Sequence, residues 1–111
     1  MSGLKSIYVL GNEMKDQVLP FIIQATQSIA EEQGIDVPPE MNESTRLFGE
    51  GGLLDSLALV SLVIAVEQGI EEKFGKRVEI ADDKALSQKN SPYRTIGSLA
   101  AYAAQELEAK A

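Results

Sequence analysis

The chain has no cysteine, no histidine and no tryptophan in 111 residues. Without cysteine there can be no disulfide, no thiolate nucleophile and no Cys-ligated metal. Without histidine the usual general base and the commonest metal ligand are gone. An enzyme of this composition would have to run on carboxylates, Lys, Tyr or Ser alone. Positive charge is also scarce: 10 Lys and Arg face 17 Asp and Glu, for a net charge of −7. Such a surface repels nucleic acid and anionic lipid. It suits partners with basic faces, or simply keeps the chain soluble. No run of 18 apolar residues exists, so no membrane span is expected. Lys5 is followed only by the short apolar run Ile7-Tyr8-Val9-Leu10, which is no signal peptide. A cytoplasmic, free-standing monomer is the expectation.

The length suits one domain over 1–111, with a core large enough to fold without staples. Residues 1–11 read as an extended or flexible lead-in, closed by Gly11-Asn12. A first helix then covers about 13–33, with Met14, Val18, Phe21, Ile22, Ala25 and Ile29 at helical spacing. Pro20 should kink it or move its start to Leu19. Gly34 caps its end. Residues 34–54 have no sustained period, and their Leu47, Phe48, Leu53 and Leu54 should pack on the core. A second helix runs from Asp55 or Ser56 to about Phe74, with Asp55 as its N-cap. Its Leu57–Val66 stretch is almost entirely apolar, which predicts a central helix or one touching something on its outer side. A short helix follows Asp82-Asp83 to Leu86 or Gln88, and Thr95 caps a last helix over 96–109. The fold class is therefore all-α: a small four-helix bundle, three main helices and one short, with a long loop between the first and second. Tyr93 and Tyr102 read as packing aromatics with wet hydroxyls.

One hydroxyl stands out. Ser56 lies at the start of an apolar helix, after a loop containing Gly49, Gly51 and Gly52 that delivers it to a bundle end. A helix N-terminus favours a phosphate group there. With no base to activate it, Ser56 is a poor nucleophile but a reasonable attachment point. The adjacent acids Glu31-Glu32, Glu71-Glu72 and Asp82-Asp83 do not face one another on a helix. They form neither an acid/base pair nor a metal cage, so no catalytic residue and no metal ligand is assigned.

The run Leu47-Phe48-Gly49-Glu50-Gly51-Gly52-Leu53-Leu54-Asp55-Ser56-Leu57 resembles the attachment segment of acyl carrier proteins, and the likeness extends over about 13–108. Ser91–Leu99 resembles the approach to the last helix in specialised members. The resemblance implies a carrier rather than an enzyme. Ser56 would bear 4′-phosphopantetheine, moved from coenzyme A by a phosphopantetheinyl transferase using Mg2+. The arm would hold acyl groups as thioesters for acyl-transferring or synthase enzymes in fatty acid, lipid or polyketide-type biosynthesis. Asp55 matches the family's acid before the serine, and Leu57 the apolar residue anchoring the helix start.

Two departures from the family shape the expectation. Many fatty-acid carriers place acids just after the serine, whereas here Ala58, Leu59 and Ser61 occupy that surface and acids return only at Glu67, Glu71 and Glu72. Ala58, Leu59 and Ser61 are therefore expected to dock a dedicated partner. The second helix and the 86–93 stretch also look extended, with Ile64, Val66 and Leu86 as candidates to line a slot for an acyl chain. Two alternatives stand beside the acyl carrier: a carrier of aminoacyl or D-alanyl cargo, and an acidic helical adaptor that binds a partner through the apolar second helix.

Overall fold

The computed structural model describes residues 2–49, 51–81 and 92–109, with side chains from residue 14 onward. Regular structure among these residues is all helical: α1 (Ser2–Gln33), α2 (Ser56–Phe74) and α3 (Ile96–Ala109). No strand is present among them; Arg46 and Thr95 form an isolated antiparallel bridge. The short helix expected after Asp82-Asp83 lies outside the described residues.

α1 corrects the expected lead-in. The helix begins at Ser2 and not near residue 13. Gly11 inside a helix costs only about 1 kcal/mol relative to Ala, less than a break would cost if the flanking turns are otherwise helical. Pro20 lies within the helix and is exposed. The missing i to i−4 bond frees the carbonyl of Asp16 on a side that water can reach. Gly34, at φ 68°, ends the helix as expected. The Ile35 N–H donates to the Ala30 carbonyl at 2.7 Å, closing the last turn.

α1 packs against both α2 and α3, while no pair of Cα atoms from α2 and α3 comes within 8 Å. The stripe Ala58, Leu59, Leu62, Val63, Val66 and Ile70 puts one face of α2 into the core. Ile96, Leu99, Ala100, Ala103 and Leu107 do the same for α3. Leu47 and Leu54 from the long connection are buried, with Phe48 and Leu53 packed against the same cluster. Val78 and Ile80 join it from the chain after α2. At about 1.5–3 kcal/mol per fully buried aliphatic side chain, these loop residues fasten their segments to the core. The buried Thr26 hydroxyl is satisfied by donating to the Ile22 carbonyl at 2.8 Å.

Gly69 has a packing role that its low helix propensity hides. A Cβ there would lie 1.8 Å from Cζ of Phe21. The ring from α1 occupies the place a side chain on α2 would take.

Candidate functional site

The site is built from the end of the long connection and the first turn of α2. Asn42 starts a tight turn: its Oδ1 accepts from the Ser44 N–H at 2.8 Å, and its own N–H donates to Thr45 Oγ1 at 2.9 Å. The chain then runs beside the entry to α3. The Leu47 N–H donates to the Arg94 carbonyl at 2.7 Å, Ile96 N–H to Thr45 at 3.0 Å, and Gly97 N–H to Glu43 at 2.9 Å. Next it folds back on itself. Gly49 and Gly51 adopt φ of 94° and 75°, in the left-handed region that glycine tolerates. The Leu53 N–H reaches the Arg46 carbonyl at 3.1 Å and the Leu54 N–H reaches Leu47 at 2.8 Å. Gly52 is needed for closeness: a Cβ there would sit 2.7 Å from the Phe48 backbone. With Leu47 and Leu54 both buried, the turn has little freedom to slide.

α2 starts where this turn ends. Asp55 is extended, at φ −82° and ψ 179°, and its carboxylate accepts from the Ala58 N–H at 2.8 Å. It is the N-cap that the sequence predicts. Ser56 is the first helical residue and is exposed. Its hydroxyl has no hydrogen-bond partner among the described residues, and no side-chain base engages it. The N–H groups of Ser56 and Leu57 belong to the unpaired first turn of a 19-residue helix, where an anion is favoured by about 0.3–1 kcal/mol. Such a hydroxyl can accept a group delivered from outside.

The neighbours of Ser56 differ from expectation in three respects. Ala58 and Leu59 are fully buried and so are not a docking surface; Ser61 is half-buried. Leu57, expected to anchor the helix start, is 72% exposed. The outward apolar residues are instead Leu57, Val60 at 41% and Ile64 at 44%. The cause is the phase of the helix. The core stripe passes through 58, 59, 62, 63, 66 and 70, so positions 57, 60 and 64 fall on the opposite side. The slot expected from Ile64, Val66 and Leu86 is described only in part. Ile64 faces outward, Val66 is in the core, and Leu86 lies outside the described residues. Among the described residues, an apolar cavity of about 20 Å3 is lined by Val60, Val63, Ala81 and Tyr93, room for about one water at most, and an open groove of about 330 Å3 runs between α1 and α2 past Phe21, Ala65, Gln68 and Gly69.

Two residues acquire roles that the sequence does not signal. Glu67 Oε2 accepts from the Ile80 N–H at 2.6 Å and the Ala81 N–H at 2.9 Å, fastening the outgoing chain to α2. The Tyr93 ring is fully buried and its hydroxyl donates to the Ile80 carbonyl, so it is not wet. Tyr102 is half-buried and meets Tyr93 edge-on at 6.4 Å. Partners separated by 13 positions leave no local pattern from which either bond could be read. Thr95 and Ser98 cap α3 reciprocally, each side chain accepting the other's N–H at 3.0 Å.

Among the described residues no group of three or more acids is placed to hold a metal ion, and no helix is long and apolar enough to cross a membrane. Compared with protein-family models, curated proteins and solved structures, the chain matches none.

Proposed function

We propose that the protein is a carrier of the acyl-carrier type, a non-catalytic domain whose Ser56 bears 4′-phosphopantetheine. In this reading a short fourth helix follows Asp82 and completes a four-helix bundle. The observation that carries the proposal is the state of Ser56: exposed, unpartnered, and first in a helix whose opening N–H groups face a phosphate position. The residues present fit the group. A phosphodiester on Ser56 Oγ meets the positive end of α2. Asp55 opposes it by like-charge repulsion, while its carboxylate caps the same helix end through the Ala58 N–H. The terminal thiol of the bound arm would supply the sulfur chemistry that a chain without cysteine lacks. The chain's own residues hold the attachment point steady and keep it clear of the core. A tether of this kind raises the concentration of its cargo at each partner's active site.

Leu57, Val60 and Ile64 extend from Ser56 along the outward side of α2 and would be the first surface met by an enzyme reaching for the arm. They replace Ala58 and Leu59 in that role. The acids that follow on the same helix, Glu71 and Glu72, are exposed and would suit a partner that is apolar at its centre and basic at its edge.

The test is incubation with coenzyme A, Mg2+ and a broad-specificity phosphopantetheinyl transferase, followed by intact mass measurement. The wild-type protein gains one arm and Ser56→Ala gains none. Equal labelling of the two discards the site, and no labelling of either discards the carrier reading. The exposed Leu57–Ile64 side also supports the adaptor reading, in which a partner protein binds α2 and nothing is attached. That reading expects no labelling, and partner binding that survives Ser56→Ala but is lost in Val60→Glu.

A further inference from the structure

The groove between α1 and α2, about 330 Å3 in volume, lies away from Ser56. Its floor is Phe21, Ala25 and Ile29 of α1 and Ala65 of α2, all half-buried, with the Phe21 ring set against Gly69. The three α1 residues pack on the core cluster and still keep part of their surface open. Ala25, Ala65 and Gly69 project too little to fill the space between the two helices. The charged residues that line it are Glu32 and Glu72, both exposed, and no Lys or Arg joins them among the described residues. An adjoining hollow shares Ser28 and Glu32 and adds Glu31. Leu57, Val60 and Ile64 do not line the groove. Ala65, on its α2 wall, is about 14 Å of helical rise from Ser56.

We propose that this groove docks a basic amphipathic helix of another protein, one with apolar residues at i, i+3 or i+4 and i+7 and with Lys or Arg on either side. Length, backbone and charge each narrow the occupant. The α1 wall from Phe21 to Glu32 covers about 16 Å, three helical turns, which is the span of such an apolar stripe. Both walls are helices whose backbone groups pair internally, so an extended peptide would find no edge to bond to. A helix satisfies its own backbone and can lay a ridge of side chains between two others. Its flanking cations would meet Glu32 and Glu72, whereas an acidic helix would be repelled. A second copy of this chain is a poor occupant. It brings a charge of −7, and its own exposed line Leu57, Val60 and Ile64 leads to Glu71 and Glu72. A three-turn contact is small, so the complex is expected to be weak and transient. One protein could hold the chain here while another reaches Ser56. The inference stands whether or not Ser56 carries an arm.

Titration of the isotope-labelled full chain with a defined peptide, followed by amide NMR, tests the groove. The probe is a capped peptide of Leu, Ala and Lys with its leucines in that stripe. One control scrambles the order so that the stripe is lost, and another replaces every Lys by Glu. Shifts are expected to centre on Ala25, Ile29, Ala65 and Gly69, with both controls at least about tenfold weaker. Ser28→Trp, at an exposed wall position, fills the groove and weakens the probe about tenfold. Glu32→Lys combined with Glu72→Lys does the same, most clearly at low salt. Ser56→Ala and Val60→Glu leave the affinity unchanged, which separates this site from the arm and from a partner on the outward side of α2. Shifts centred on Leu57, Val60 and Ile64 overturn the proposal, as does equal binding of the scrambled peptide or an unaltered affinity in Ser28→Trp. Self-association of the free chain in sedimentation that Ser28→Trp abolishes overturns it too, since the occupant would then be a second copy. Should Ser28→Trp fail to fold, Gln24→Trp, also exposed on that wall, carries the same comparison.

Discussion

The two irregular segments that flank α2 are fastened by different means. The incoming one is tied to the entry of α3 by backbone bonds from Leu47, Ile96 and Gly97, and to itself by those of Leu53 and Leu54. Among the described residues, the outgoing one is held by the side chains of Glu67 and Tyr93 and by the burial of Val78 and Ile80. Backbone ties do not depend on a rotamer, and several in register resist displacement together. Side-chain ties can be released one at a time. The arrangement puts the stiffer fastening beside Ser56, where a fixed attachment point is useful. The side-chain fastening lies beside the small apolar cavity lined by Val60, Val63, Ala81 and Tyr93.

The sharpest way to separate the two segments is Gly52→Ala. Its Cβ would meet backbone on the Phe48 side, so the turn must shift. We expect a loss of about 1–3 kcal/mol in thermal or denaturant melts, together with slower arm attachment at Ser56. Unchanged stability would mean that the turn is softer than its bonds imply. Asp55→Ala comes next, at about 1 kcal/mol for a lost N-cap, read from the shift in denaturant midpoint at constant slope. Tyr93→Phe should cost about 0.5–1.5 kcal/mol, the net worth of one hydrogen bond. It should leave the rate of arm attachment unaltered, because the outgoing segment does not position Ser56. A slowed rate would break the contrast. The smallest effect belongs to Lys15→Met, which removes a 2.5 Å ion pair to Glu43 at the start of the incoming segment. Both partners are partly exposed, so we expect no more than about 0.5 kcal/mol, less still in high salt. Melts at two ionic strengths would show it.

Capping chemistry made most of the helix ends legible in the sequence. Asp55, Gly75, Gly34 and Thr95 mark their boundaries because each offers a side-chain acceptor or a left-handed backbone that local sequence displays. The packing of Leu47, Phe48, Leu53 and Leu54 was equally readable, since four large apolar residues in a short chain need cover. The start of α1 was not, because Gly11-Asn12 offers a stop signal that the helix overrides. Nor was the phase of α2 obvious. Every position from Leu57 to Val66 except Ser61 is apolar, so hydrophobicity alone leaves several rotations open. The helix's own polar end held the answer. Gln68 and Glu71 stand one to four turns beyond Ile64, Val60 and Leu57 on the same side, so the solvent-facing line could have been projected backward. The accessible Ser56 sits where its place after Asp55 predicted. The roles of Glu67 and Tyr93 depend on contacts between distant parts of the chain and were not legible.

The missing side chain at position 69 sets a length scale between two rods. With the Phe21 ring lodged in the notch, α1 cannot advance along α2 by a turn of about 5.4 Å without driving that ring into a residue that has a Cβ. The notch therefore indexes one helix against the other, as a keyway indexes a shaft.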